Sequence, residues 1–179
     1  MRSVRELDGR FGGLPLWCIG RGPSLANLRK EHIGDGPVVA INQAIEKVEA
    51  IEGLQVSNPI FSMQKDRFFL RPKYAALLLH AHESAVGFAL AGIEYLYAFD
   101  APADFNMPRS VPSVVCAAGL AARWGCERVV YLCCDAATDN VTEAYGAPAT
   151  KPADYLAHKR MVLRHATIPV EWRRIEEVK

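Results

Sequence analysis

Three stretches of this chain have apolar centres with almost no polar interruption and read as strands: Leu14–Ile19, Gly36–Asn42 and Glu127–Asp135. A strand that shows water one face alternates apolar and polar residues. A strand read as a continuous apolar run is covered on both faces, which is the condition of strands in a parallel sheet. Helix-like stretches separate these runs. The segment 23–32 opens with Pro23 and Ser24, 43–50 is short, and 110–125 is Ala-rich with Pro112 near its start and Gly125 at its end. The stretch 152–166 is amphipathic. Further strands are expected at 58–64, 75–80, 94–100 and 168–177, the last edge-like. Strands alternating with helices predict an α/β fold: a Rossmann-like open, mostly parallel sheet with helices on both faces.

The 179 residues fit a single domain spanning 1–179, and an apolar half is enough for a sizeable core. A net charge of +1 argues against a general nucleic-acid or membrane-surface binder. No apolar run approaches a membrane span, and the N-terminal MRSVRELDGRFGG lacks the apolar centre of a secretory signal. The five cysteines, Cys18, Cys116, Cys126, Cys133 and Cys134, are odd in number and lie mostly in apolar segments. That usage suits reduced thiols and a cytoplasmic setting. None has C-x-x-C spacing, so structural zinc is not expected. His80 and His82 would share one face of a strand, as metal ligands can, but no third ligand accompanies them; no metal site is assigned. The stretches 101–112 and 136–152 read as long loops.

Ligands of open parallel sheets bind beyond the carboxyl ends of the strands. The first run delivers Gly20-Arg21-Gly22-Pro23-Ser24 there. Two glycines permit close backbone approach. The helix expected to follow would supply free N–H groups, Ser24 a hydroxyl and Arg21 a charge, together a phosphate cradle. It is neither a G-x-G-x-x-G motif nor a P-loop, and a plain strand-to-helix turn reads equally well. The second run delivers Asn42-Gln43, where Asn42 either meets a sugar or caps the next helix. The others deliver Gln64-Lys65-Asp66-Arg67, His80, Asp100 and Asp135. Ser110 and Ser113 open the Ala-rich segment, as caps or as a second anion site.

Three segments in series, CIGRGPSL (18–25), VVAINQAIE (38–46) and SVPSVVCAAGLAARWGCERVVYLCCD (110–135), resemble the bacterial sialyltransferases of glycosyltransferase family 42. They are also similar to the related archaeal hydroxymethylpterin diphosphokinase-like proteins, a group with short phage and prophage members. The family's first motif reads Gly-Asn-Gly-Pro-Ser and its last strand ends in Gly-x-Asp. The resemblance implies a CMP-sugar-dependent glycosyltransferase that requires no cofactor. Gly20, Gly22, Pro23 and Ser24 would lie on the nucleotide phosphates, Asn42 on the nucleotide sugar, Ser113 near the nucleotide, and Asp135 beside base and ribose. This chain has Arg21 for the family's Asn and Cys133-Cys134-Asp135 for Gly-x-Asp.

An inverting transfer needs a base for the acceptor hydroxyl and stabilisation of the leaving phosphate. Candidates for the base are His158, His80 and Asp66; for the phosphate, Tyr145, Tyr155 and Arg21. His158 falls within the expected helix, where the family places its His ahead of it. A diphosphokinase would instead need Mg2+ near Asp66, Asp100 or Asp135 to bridge ATP phosphates. A nucleotide-binding or structural module without turnover is the third reading. The expected partner is a small-molecule nucleotide or nucleotide-sugar. Segments 94–100 and 168–174 are candidate sheet edges for a homo-oligomer.

Overall fold

The computed structural model describes residues 2–64, 72–80, 96–134 and 152–175. Its strands are β1 (Arg2–Ser3), β2 (Pro15–Ile19), β3 (Val38–Ile41), β4 (Ile60–Gln64), β5 (Ala76–His80), β6 (Leu96–Phe99), β7 (Arg128–Leu132) and β8 (Val170–Trp172). They form one sheet in the order β1-β6-β5-β4-β3-β2-β7-β8. Every neighbouring pair is parallel. From β2 the chain winds outward through β3, β4, β5 and β6, then returns to the other side of β2 to lay down β7 and β8. Such a reversal defines the doubly wound, Rossmann-like α/β class.

Alternate residues of each central strand enter two separate cores. Leu16 and Cys18 of β2, Val39 and Ile41 of β3 and Val129 and Tyr131 of β7 face one side. There they meet the helices α4 (Ser113–Arg123) and α5 (Pro152–His165). Trp17, Ile19, Val38, Ala40, Val130 and Leu132 face the other. That side is covered by the helices α1 (Ala44–Glu49) and α2 (Leu54–Ser57) and by short 3-10 turns. The continuous apolar runs thus have the covering that their composition requires.

Three local expectations change. Residues 23–32 form two 3-10 segments, Pro23–Asn27 and Lys30–His32, in place of one α-helix. Leu25, Leu28 and Ile33 are buried in the second core, and this irregular apolar spacing binds the segment closely to the sheet. The stretch 101–112 is not all loop. Helix α3 (Ala101–Phe105) follows β6 directly, with Pro102 in its first turn and Asn106 closing it in the left-handed region. Asp104 anchors it, accepting from the Asp100 amide at 2.8 Å and from the Arg5 guanidinium at 2.8 Å. Finally, β6 is not an edge, because β1 pairs outside it. The edges are β1 and β8.

Cys126 lies in the tight turn from α4 into β7 and is 4% exposed. Burial pushes its thiol from an ordinary 9.0 up to about 12. Below pH 9 the thiol is protonated in folded and unfolded chains alike, and its contribution to stability is complete. Above that, only the unfolded chain ionises, so stability falls by up to about 1.4 kcal/mol per pH unit until the folded thiol titrates. The buried Tyr131 hydroxyl, raised well above its usual value mainly by burial, acts in the same direction. Urea midpoints are therefore expected to drop between about pH 8 and about pH 10.5, and to drop less in a Cys126→Ala variant. An identical pH dependence in the two proteins would refute this.

Candidate functional site

The reversal of winding lies between β2 and β7, whose residues pair from Pro15↔Arg128 to Ile19↔Leu132. Beyond their carboxyl ends the two chains stay in contact. The Gly20 amide donates to Leu132 O at 2.9 Å and the Gly22 amide to Cys133 O at 2.7 Å. A Cβ placed on Gly20 would sit 2.5 Å from Cys133 O and 2.6 Å from Cys134 Sγ. Only glycine fits there. Gly20 is thus fixed by the approach of the neighbouring strand's backbone.

Two residues at this rim hold positive φ without being glycine: Asn42 (φ 51), directly after β3, and Cys133 (φ 54), directly after β7. Asparagine tolerates the left-handed region; cysteine enters it at a cost of about 1–2 kcal/mol. Such strain is concentrated at functional sites. The Asn42 amide donates to Met63 O at 2.8 Å, tying the end of β3 to β4. The Arg21 guanidinium reaches across to the side-chain oxygen of Gln43. Loops following β2, β3 and β7 are thereby joined into one polar rim.

The expected cradle is altered in one respect. Gly22, at φ −62 and ψ 167, precedes a five-residue 3-10 segment carrying Pro23 at its start and Ser24 second. A segment that short has little aligned dipole, so the rim's capacity for an anion rests on Arg21 and on polar side chains such as Ser24. Ser113 is 9% exposed and is the first residue inside α4, whose cap position is Pro112. It therefore does not serve as the cap. Helix α1 has Gln43 at its cap position, which makes no side-chain cap bond.

Near this rim the Tyr131 hydroxyl donates to Val114 O in the first turn of α4 at 2.8 Å. Cys18, Cys134 and Cys116 surround it and add to the upward push on its titration. Cys134 is half-buried, whereas the other four cysteines are buried. Across the sheet, Trp172 at the end of β8 stacks on Tyr131 at 4.3 Å, and Tyr155 packs edge-on against Trp172 at 6.2 Å. His158 follows Tyr155 by one turn within α5. The structure thus gathers Gly20, Arg21, Gly22, Asn42 and Gln43 at the reversal, and seats Tyr155 two strands away over Trp172. At about 4.8 Å per strand spacing, that is roughly 10 Å from the axis of β2. Asp66, Asp135 and Tyr145, together with His82, lie outside the described residues; His80 ends β5. Among the described residues, no group of three or more His, Cys, Asp and Glu side chains could hold a metal ion, and no helix is long and apolar enough to cross a membrane.

Sequence reading passed over the left-handed Cys133, the thiol of Cys134 above Gly20, and the Arg21–Gln43 contact. The doubled cysteine in place of Gly-x-Asp was the available signal for the first two. Comparison of the chain with protein-family models, curated proteins and solved structures finds no match. The class is that of Rossmann-like open α/β domains.

Gly20→Ala should destabilise the fold by about 2–3 kcal/mol, because the clash is with backbone that cannot yield cheaply. Asn42→Gly should be neutral within about 0.5 kcal/mol, while Asn42→Val should cost at least ~1 kcal/mol. Denaturant melts of the three variants test this; a tolerated Gly20→Ala would show that the β2–β7 approach is not rigid.

Proposed function

We propose that the rim between β2, β3 and β7 binds a nucleotide or nucleotide-sugar, and that the reaction is transfer of a sugar from a CMP-sugar donor. The observation that carries this reading is the coincidence at one reversal point. A glycine without room for a Cβ, two strained strand-end residues and an arginine all lie where open α/β sheets bind ligands. The phosphates would lie along Gly20–Ser24 with the Arg21 charge beside them. The sugar side would lie toward Asn42, and the base and ribose toward the loop after β7. Ser113 at the start of α4 borders the same edge.

For turnover, the acceptor hydroxyl must lose a proton as the phosphate departs. His158, Tyr155, Tyr145 and Asp66 are the groups assigned to those tasks. A second reading, a nucleotide-binding module without turnover, is favoured by one observation: the ring of Tyr155 is engaged with Trp172 and His158 lies well inside α5. A Mg2+-dependent diphosphokinase is the remaining alternative, with Asp66, Asp100 and Asp135 as its carboxylates.

Calorimetric titration with CMP and with ATP, each with and without Mg2+, separates these. CMP binding that ignores Mg2+ and weakens about tenfold in Arg21→Ala, the effect of one charge-assisted hydrogen bond, supports the transferase-type site. ATP binding that requires Mg2+ supports the diphosphokinase. CMP binding without hydrolysis or transfer of a CMP-sugar supports the module. Binding of neither nucleotide removes the proposal. Cys134 gives an independent readout: bound nucleotide should slow its alkylation by iodoacetamide, measured by mass spectrometry.

A further inference from the structure

A cavity lies at the other edge of the sheet. It has a volume of about 710 Å3 and opens below the amino ends of β4, β5 and β6, where Ile60, Ala76 and Tyr97 line it. Strand β4 is five residues long, so roughly 15 Å of sheet separates this cavity from the carboxyl rim. Its volume falls within the usual range of small-molecule sites, about 300–1,000 Å3.

The inner wall is apolar, aromatic and already packed. Phe61 and Tyr97 are 5% and 4% exposed and meet edge-on at 6.4 Å. Phe11 meets Phe61 edge-on at 6.1 Å, and both rings lean on Trp124 from the core side, at 5.3 and 4.7 Å. Rings held in this way form a preset surface against which another ring can stack or pack edge-on.

The polar lining is of one sign. Arg2 and Arg10 line the cavity, and among the described lining residues there is no carboxylate. Arg2 is held in place, with its guanidinium 5.0 Å over the Tyr97 ring and bonded to Glu6 at 2.7 Å. The Tyr74 hydroxyl donates to Glu49 O, and the Asn58 amide to Gly34 O and Gly36 O. These groups are occupied by the fold itself. The Arg10 guanidinium and the Gln55 amide have no side-chain partner among the described residues, and both stand at the mouth. A cation without a partner over an aromatic floor selects for a flat apolar ring that carries a negative group.

We propose that this amino-edge cavity is a second binding site, distinct from the carboxyl rim, for an aromatic anion: a planar ring system bearing a carboxylate, sulfonate or phosphate. The ring enters between Phe11, Phe61 and Tyr97, and the anionic group pairs with Arg10, with Gln55 donating beside it.

The probe is anilinonaphthalene sulfonate, whose fluorescence rises on entering an apolar site, compared with the uncharged phenylnaphthylamine. The protein is kept native, as monitored by the near-ultraviolet circular dichroism of its tryptophans. The expected result is one sulfonate bound per chain, about tenfold more tightly than the uncharged probe. Arg10→Gln should weaken the sulfonate about tenfold and leave the uncharged probe unchanged. Gln55→Glu, which adds a negative charge at the mouth, should weaken the sulfonate in the same selective way. Both positions are exposed and unpartnered by side chains, so both variants should fold. Equal affinity for the two probes, or indifference of the sulfonate to both substitutions, overturns the proposal. Weakening of the sulfonate by Arg21→Ala, with Arg10→Gln without effect, overturns it too, because the probe would then occupy the opposite rim. The outcome is independent of whether that rim binds nucleotide.

Discussion

The backbone contact between the ends of β2 and β7 sets the geometry of everything above the sheet. Parallel strands cannot be joined by hairpins, so each connection crosses a face of the sheet, and winding in two directions from β2 leaves one reversal. At that reversal the ends of β2 and β7 lie side by side. Here they do not part at once: Gly20 and Gly22 remain hydrogen-bonded to Leu132 and Cys133 for one more step. The absence of a side chain at Gly20 lets the Cys133 carbonyl and the Cys134 sulfur close over it.

The same rim carries the strain. Cys133, whose carbonyl accepts from Gly22, and Asn42, whose amide donates to Met63, are the residues in the left-handed region at this rim. Both residues directly follow strands, and both cost energy that the sheet below supplies through its two cores. The cost is tolerable because the central strands are buried on both faces and shift little.

The order of elements was legible in the sequence because burial on both faces leaves a mark that does not depend on tertiary detail. Runs such as Val38–Ile41 and Arg128–Leu132 announce a parallel strand wherever they pair. Elements shorter than about two turns left no such mark. Strand β1 is two residues, Arg2–Ser3, and is defined only by its partner β6. Helix α3 is five residues in a Pro-rich stretch whose helix depends on the Asp104 ion pairs. Segment 23–32 carried helix-starting residues, but Leu25, Leu28 and Ile33 must all reach one core, and two 3-10 turns do that where an α-helix would not. Of the candidate site, Gly20 and Gly22 were legible as close-approach glycines. What each glycine approaches was not, since Cys133 lies more than a hundred residues away and the contact exists only in the fold.

The two edges of the sheet are built by opposite means. At the carboxyl rim the wall is backbone at a winding reversal, with Arg21 reaching Gln43 across it. At the amino edge the wall is side chain: Phe11, Phe61 and Tyr97 come from three separate parts of the chain, and Trp124 packs behind Phe11 and Phe61. A backbone wall follows from the winding alone and recurs across unrelated functions of this architecture, so it says little about which ligand is bound. A side-chain wall does not follow from the winding. Another chain with the same strand order has no need of three aromatic rings and two arginines lining one cavity at that edge. The amino-edge cavity is therefore the feature most particular to this chain, and the chemistry of its lining, aromatic floor and cationic mouth, would restrict the proposed aromatic anion more narrowly than the rim would restrict the proposed nucleotide.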